Sequence, residues 1–233
     1  MNRYYDVIGF EADYVKVTRL IAAFLGELDG GHPLPTRELL YRFGLRLKTR
    51  GIDSIVSAAA ESQVPIYCPA IVDSAYGDAI LLLEGAGRRP VFDEAADYVE
   101  FMGLAPQMKE TAVIYIGGGV PKDFIQTLAV TSGLLPAGRR RGTRAATYRG
   151  RSERPYYPHK YALQITADSP HWGGSSGASL TEGISWGKQM VAGTRVDCRC
   201  DVTIALPLLV QALSEQRVSR RRRPFSALFT GGA

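Results

Sequence analysis

The feature of this sequence that most constrains its fold is a strand that leads through three glycines into a helix. Residues 111–116 are apolar and rich in β-branched and aromatic side chains, which is typical of a buried strand. Gly117, Gly118 and Gly119 follow at once, and Pro121 is well placed in the first turn of a helix. Glycines at such a turn let a phosphate group approach the backbone N–H groups, where the helix dipole favours an anion. The segment is a candidate phosphate site, although a tight turn without a ligand explains the same residues.

Strands and helices alternate along the rest of the chain. The hydrophobic pattern predicts helices over residues 11–29, from Thr36 as the cap to Gly51, over 54–62 with Asp53 as the cap, and over 79–83, 93–103 and 206–214. It predicts further strands over residues 64–68, 90–92, 161–166 and 196–206. This alternation predicts an α/β fold, a Rossmann-like parallel sheet with helices on both faces. We expect a single domain over residues 1–216 and an arginine-rich, disordered tail over residues 217–233.

Acidic side chains are predicted at the ends of strands. Asp73 and Asp78 flank a turn of small residues beyond the predicted strand 64–68, and Asp201 lies on the predicted last strand. Ligands of open α/β sheets bind at the carboxyl ends of the strands, where an acid can hold a pair of ribose hydroxyls. Aspartates that cap helices or turns would give the same pattern for Asp73 and Asp78.

The segment 184–188 contains a candidate nucleophile, Lys188, close to Trp186 and six residues after Glu182. A lysine amine is a nucleophile only in its uncharged form, and partial burial against an aromatic wall favours that form. We expect Lys188 on a helix that follows a glycine-rich loop. A surface lysine at a helix end, with Trp186 in the core, is the alternative interpretation of this segment.

Composition excludes several classes of protein. No run of about 18 apolar residues is present, so we expect no membrane span. Three cysteines do not suggest a disulfide framework and fit a reducing cytoplasm, and the histidines lack the spacing of metal ligands. The net charge is +5, and the excess lies in two arginine clusters, over residues 139–154 and 220–223. Such clusters can attract nucleic acid, but no nucleic-acid motif accompanies them, so we expect no such partner.

Five motifs in a fixed order give a more specific signal, namely IVDSAYGD, IGGGVPK, ITADSPHWGGSSG, EGISWGK and RCDVTIALPLLV. In this order the chain resembles the deoxyhypusine synthase family, including its bacterial deoxyhypusine synthase-like members, over roughly residues 6–212. The resemblance implies a Rossmann-like fold and a homotetramer with active sites at dimer interfaces.

The resemblance also implies a reaction. NAD takes a hydride from spermidine, the resulting imine loses 1,3-diaminopropane, and the aminobutyl unit passes to an enzyme lysine and then to an acceptor amine. Lys188 matches the covalent lysine. The family's polyamine pocket is matched by Asp78, Glu182 and Trp186, and we assign Asp123 and His171 to the same pocket. The residues that match NAD contacts are Asp73, Gly117, Gly118, Gly119, Thr166, Ala167, Asp201 and Val202.

The sequence departs from the family pattern in three places. The eukaryotic enzymes have a histidine where Asp123 stands and an acid where Ser175 stands, and the segment 170–172 also differs. We therefore expect that the acceptor can differ from that of the eukaryotic enzymes, and a small amine such as putrescine is a candidate. We also expect the chain to lack the family's N-terminal portion, which supplies NAD contacts. A catalytically impaired remnant that only binds polyamine or nucleotide is the alternative function.

Overall fold

The computed structural model describes residues 2–4, 7–28, 32–84, 87, 90–136, 156–216 and 225–229. Both arginine clusters, residues 139–154 and 220–223, lie outside these residues. The described chain divides into two compact units, residues 1–97 with 223–233 and residues 98–222.

The first unit begins with an antiparallel pair of strands and is otherwise helical. Strands β1 (Asn2–Tyr4) and β2 (Val7–Gly9) pair with each other. The helices are α1 (Glu11–Glu27), α2 (Thr36–Thr49), α3 (Ile55–Glu61), α4 (Ala75–Glu84) and α5 (Glu94–Met102), the last of which continues into the second unit. Buried side chains of α1, α2 and α4 form one apolar core with Ile71, and the rings of Phe24 and Phe43 lie 5.0 Å apart in it.

Two predicted helix caps are wrong. Thr36 is the first residue of α2, and its backbone N–H donates to the carboxylate of Asp97 at 2.6 Å. Helix α3 is capped by Ser54 in a reciprocal bond with Ser57, one residue after the predicted Asp53. A cap supplied from 61 residues away cannot be read from local sequence, because only the tertiary fold brings that carboxylate to the helix.

The second unit is built on a parallel sheet. It contains β3 (Ala112–Ile116), α6 (Val120–Thr131), β4 (His159–Ile165), α7 (Leu180–Ser185), β5 (Gln189–Cys198) and α8 (Val202–Glu215), with short 3-10 turns at Ala105–Gln107, Ser132–Leu134 and Pro170–Trp172. The strand order is β3-β4-β5, and both pairings are parallel. The predicted α/β fold with a parallel sheet flanked by helices is confirmed.

Three predicted strands are wrong. The strand predicted over residues 196–206 ends at Cys198, because Asp201 caps α8 by accepting the Thr203 N–H at 2.8 Å. Helix α8 therefore starts four residues earlier than predicted, on β-branched residues that also suit a strand. Residues 64–68 belong to no strand of the described chain, and residues 90–92 contribute a single bridge, between Leu34 and Phe92.

The prediction of one domain over residues 1–216 and of a disordered tail stays a prediction. Of that tail, residues 225–229 are described, and the Phe229 ring packs 4.5 Å from the ring of Tyr41 on α2. Among the described helices, none is long and apolar enough to cross a membrane.

Candidate functional site

The carboxyl ends of the three parallel strands carry the residues predicted to contact NAD in the second unit. Gly117, Gly118 and Gly119 follow β3, Thr166 and Ala167 follow β4, and Asp201 and Val202 follow β5 after two further residues. The ladder continues just past the strands, since Gly117 N–H donates to Ile165 O at 2.9 Å and Thr166 N–H donates to Cys198 O at 3.1 Å. Neighbouring parallel strands end at one edge of the sheet, so the fold brings these three segments together.

The glycine turn fits a phosphate group at two of its three positions. Gly117 and Gly119 have φ values of +69° and +80°, a backbone conformation that L side chains rarely adopt, and an added Cβ at either would have no atom within 4 Å. Gly119 is the N-cap of α6, a helix of 12 residues. Open space beside the backbone at a helix start is what an anion needs. The residues present therefore fit the pyrophosphate of NAD.

Gly118 has a different role in the turn. A Cβ at Gly118 would lie 2.1 Å from the Cα of Ser176, so the turn is packed directly against the loop that precedes α7. Lys122 fixes the same loop, because its Nζ donates to Ser175 O at 2.6 Å and to Ala178 O at 3.0 Å. Lys122 is 4% exposed, and this burial lowers its pKa. Lys122 was not predicted as a site residue, although it is the last residue of the motif IGGGVPK.

Asp201 is exposed and serves as the N-cap of α8. Its carboxylate accepts the Thr203 hydroxyl at 2.6 Å as well as the Thr203 N–H, and these bonds lower its pKa. The carboxylate is thus ionised and fixed in direction just beyond the end of β5. Its predicted contact with a ribose stays a prediction.

The Lys188 side chain is partly buried and surrounded by residues from α6 and α7. Its Nζ donates to Gln126 Oε1 at 2.9 Å, lies 3.7 Å from Asp123 Oδ1, and sits 5.7 Å from the centre of the Trp186 ring. The Lys188 side chain is 20% exposed, whereas Trp186 is 65% exposed and so is not a core residue. The structure thus brings together three residues of the predicted site: Lys188, Asp123 and Trp186.

The predicted secondary structure at Lys188 is wrong. The lysine is not on a helix but in the turn between α7 and β5, where Gly187 has a φ of +76° and Lys188 N–H donates to Gly183 O. Lys188 therefore lies directly before the strand β5. The contact with Asp123 and Gln126 arises because the Lys188 side chain reaches helix α6.

A chain of buried polar side chains extends from the Lys188 amine into the interior. Gln126 interacts with the Tyr115 side chain, and Gln189 Nε2 donates to the Tyr115 hydroxyl at 3.0 Å. Gln126, Tyr115 and Gln189 are 7%, 2% and 2% exposed. Burial raises the pKa of Tyr115 to about 12, so its hydroxyl is neutral at physiological pH. These three residues were not predicted from the sequence, although Asp123 and Gln126 share the three-residue spacing of one helix face.

The remaining predicted site residues are exposed. Glu182 lies in the first turn of α7, whose cap Ser179 accepts its N–H at 3.1 Å, and His171 lies in the 3-10 turn after β4. Asp73 and Asp78 belong to the first compact unit, at the start of α4. The turn between them is tight, since a Cβ at Gly77 would lie 2.0 Å from the Val72 carbonyl oxygen. Their roles stay predictions.

Comparison with known proteins gives a consistent result. The family model for deoxyhypusine synthase matches residues 1–213. "Probable deoxyhypusine synthase 2" of Archaeoglobus fulgidus is 38% identical over 213 residues, which are 91% of this chain and 64% of the relative. The protein of the same name from Methanosarcina mazei is 36% identical over 218 residues, 93% of this chain and 58% of the relative. The chain thus spans about 60% of the length of these curated relatives.

A solved structure agrees at the level of the fold. A crystal structure from Entamoeba histolytica, assigned as a deoxyhypusine synthase, superposes with a TM-score of 0.57 at 18% identity. The match covers 91% of this chain and 59% of the other. At this identity the likeness concerns the fold alone.

Proposed function

Because the chain belongs to the deoxyhypusine synthase family, we propose that it is a transferase that moves the aminobutyl group of spermidine to an acceptor amine by way of Lys188, with NAD as the hydride carrier. The observation that carries this proposal is the environment of the Lys188 amine. It is partly buried, fixed by a neutral acceptor, and placed beside a carboxylate and an exposed indole. Partial burial and a fixed direction suit an amine that must act as a nucleophile, and the carboxylate and the indole suit a cationic substrate.

In this proposal Lys188 forms the covalent intermediate. NAD, when bound, accepts the hydride from the carbon next to the secondary amine of spermidine and later returns it. The Lys188 amine attacks the carbon of the resulting imine, the carbon–nitrogen bond to 1,3-diaminopropane breaks, and that diamine leaves with the proton it needs. The aminobutyl unit is then an imine of Lys188, ready for transfer to the acceptor.

The neighbours of Lys188 would hold the polycation. Asp123 offers a carboxylate 3.7 Å from the Lys188 Nζ, and the face of Trp186 already lies near that cationic group. Carboxylates and indole faces both attract alkylammonium groups. Glu182 and His171, which lie in the same unit, would extend this pocket, and a small diamine such as putrescine is the acceptor that we propose. Gly117, Gly119, Thr166, Asp201 and their neighbours would hold NAD.

Trapping the intermediate tests the function. The full chain is incubated with spermidine and NAD, reduced with borohydride, and digested for mass spectrometry. We expect an aminobutyl adduct on Lys188, and we expect none in Lys188→Arg, because a guanidinium cannot form the imine. Lys160→Arg is the matched control, since Lys160 is a partly exposed lysine of β4 that pairs with Glu110 in the same unit. It should form the adduct as the wild type does.

Two results would overturn the proposal. One is a trapped adduct that persists in a folded Lys188→Arg variant, which would assign the chemistry to another residue. The other is a wild type that gives no adduct, whether or not an excess of putrescine is present. Retained binding of spermidine or NAD in that case would indicate a binding protein.

A further inference from the structure

The direction of the Lys188 amine is set by a side chain that lies outside the residues carried over from the family. The amine donates to Gln126 Oε1 at 2.9 Å, which is an ordinary hydrogen-bond length. Asp123 is farther, at 3.7 Å, and its side chain is 58% exposed. An ion pair that is open to water contributes little to fixing a long side chain. The amide of Gln126 is thus the closer and better shielded of the two partners.

Gln126 is itself held in place. Its amide interacts with the Tyr115 hydroxyl, to which Gln189 Nε2 donates at 3.0 Å. Tyr115 lies on β3 and Gln189 is the first residue of β5, so these contacts join the helix to the sheet. All three side chains are at least nine-tenths buried. A buried amide without these bonds would be costly and free to rotate, and with them it has one orientation.

The chemistry of the acceptor also matters. A carboxylate in this position would favour the protonated, unreactive form of the lysine amine. A neutral amide oxygen accepts one N–H and leaves the nitrogen lone pair unused. The charged groups around the amine come from several elements. Lys122 and Asp123 face it from α6, and Lys122 in turn interacts with Asp197 and Arg199 at the end of β5. No substitution at Gln126 removes any of these charges.

We propose that Gln126, anchored through Tyr115 to Gln189, is the positioning residue that aims the Lys188 amine and keeps a neutral partner beside it. The inference rests on the proposed function of Lys188 and adds to it a residue that acts through the lysine. It predicts that the reactivity of the amine depends on the chemistry at position 126 even when no substrate is present.

Three variants test this role. Gln126→Leu removes the acceptor at similar volume, Gln126→Glu keeps the shape and adds a charge, and Tyr115→Phe removes the anchoring hydroxyl. Lys188 is labelled with acetic anhydride over a range of pH without substrate, and the labelled fraction is read by mass spectrometry of peptides. The rate of adduct formation with spermidine and NAD is measured over the same range. Gln107→Glu, at an exposed position of the same unit, is the matched control.

The expected results separate positioning from folding. Gln126→Glu should move the pH of half-labelling of Lys188 upward by about one unit and recover its adduct rate at high pH. Gln126→Leu should lose adduct rate by roughly tenfold at every pH with the KM for spermidine little changed, and Tyr115→Phe should lose less in the same direction. Gln107→Glu and the labelling of Lys160 should match the wild type.

The labelling experiment also tests the positioning role of Gln126 separately from the proposed function of Lys188. If the wild type forms no adduct but the Gln126→Glu variant labels Lys188 at a shifted pH, the positioning role stands and the proposed function is wrong. Adduct formation at the wild-type rate and pH in both Gln126→Leu and Tyr115→Phe would overturn the positioning role alone. So would an equal loss in Gln126→Leu and Gln126→Glu without any shift with pH.

Discussion

His159 illustrates how burial decides the protonation state of a single residue in this protein. It begins β4, is 2% exposed, and has its Nδ1 3.0 Å from the Thr111 hydroxyl. Desolvation lowers its pKa to about 4 from the ordinary 6.5. The folded protein therefore binds a proton at this ring more weakly than the unfolded chain does. The stabilisation from a neutral His159 is present above pH 6.5 and is lost as the pH falls from there towards 4.

We predict that His159→Asn flattens the acid side of the stability profile. Asn can keep a bond to Thr111 and cannot titrate. Between pH 7.5 and pH 5 the wild type should lose about 2 kcal/mol of unfolding free energy more than the variant does. Urea unfolding at several pH values measures this difference. His32→Asn, at an exposed histidine of the first unit, should behave as the wild type, and equal slopes for all three proteins would contradict the prediction.

At the scale of elements, the glycine turn was predictable and the surroundings of Lys188 were not. A strand, three glycines and a helix are a local pattern, and the structure has them within one residue of the predicted bounds. The first seven residues of β5 were missed because polar residues such as Thr194 and Arg195 interrupt the apolar pattern, while α8 begins with residues that suit strands. The bond from Lys188 to Gln126 spans 62 residues, so no spacing rule could reveal it. The order of motifs revealed the family without these contacts.

Two glycines of the candidate site should respond differently to the same substitution. Gly118→Ala places a Cβ 2.1 Å from the Cα of Ser176, so the glycine turn and the loop must separate. We expect a loss of about 1–3 kcal/mol in unfolding free energy and weaker NAD binding, if NAD binds the wild type. In Gly174→Ala the nearest atom is Ser176 Oγ at 3.8 Å, an ordinary contact, and the change should stay within about 0.5 kcal/mol. Thermal unfolding and NAD titration of both variants measure this, and equal stabilities would contradict the packing argument.

At the scale of the whole molecule, helix α8 shows where the chain leaves apolar surface exposed. It spans 14 residues, contains no buried residue, and exposes Ile204, Leu208 and Val210 by 58%, 67% and 56%. Apolar helices of this kind are normally covered in the functional protein. A homotetramer, which the family resemblance implies, would provide such a cover by a second copy of the chain.

We therefore predict that the full chain elutes with a mass of about four times 25.4 kDa in size-exclusion chromatography with light scattering. Leu208→Glu should shift the mass towards the single chain, because a charge in an apolar contact is not solvated. Gln211→Glu is the matched control, since Gln211 lies one turn further along α8 and is exposed with a polar partner, Glu215. It should keep the oligomer. A monomeric wild type, or a Leu208→Glu variant with unchanged mass, would show that this face of α8 is not a contact between copies.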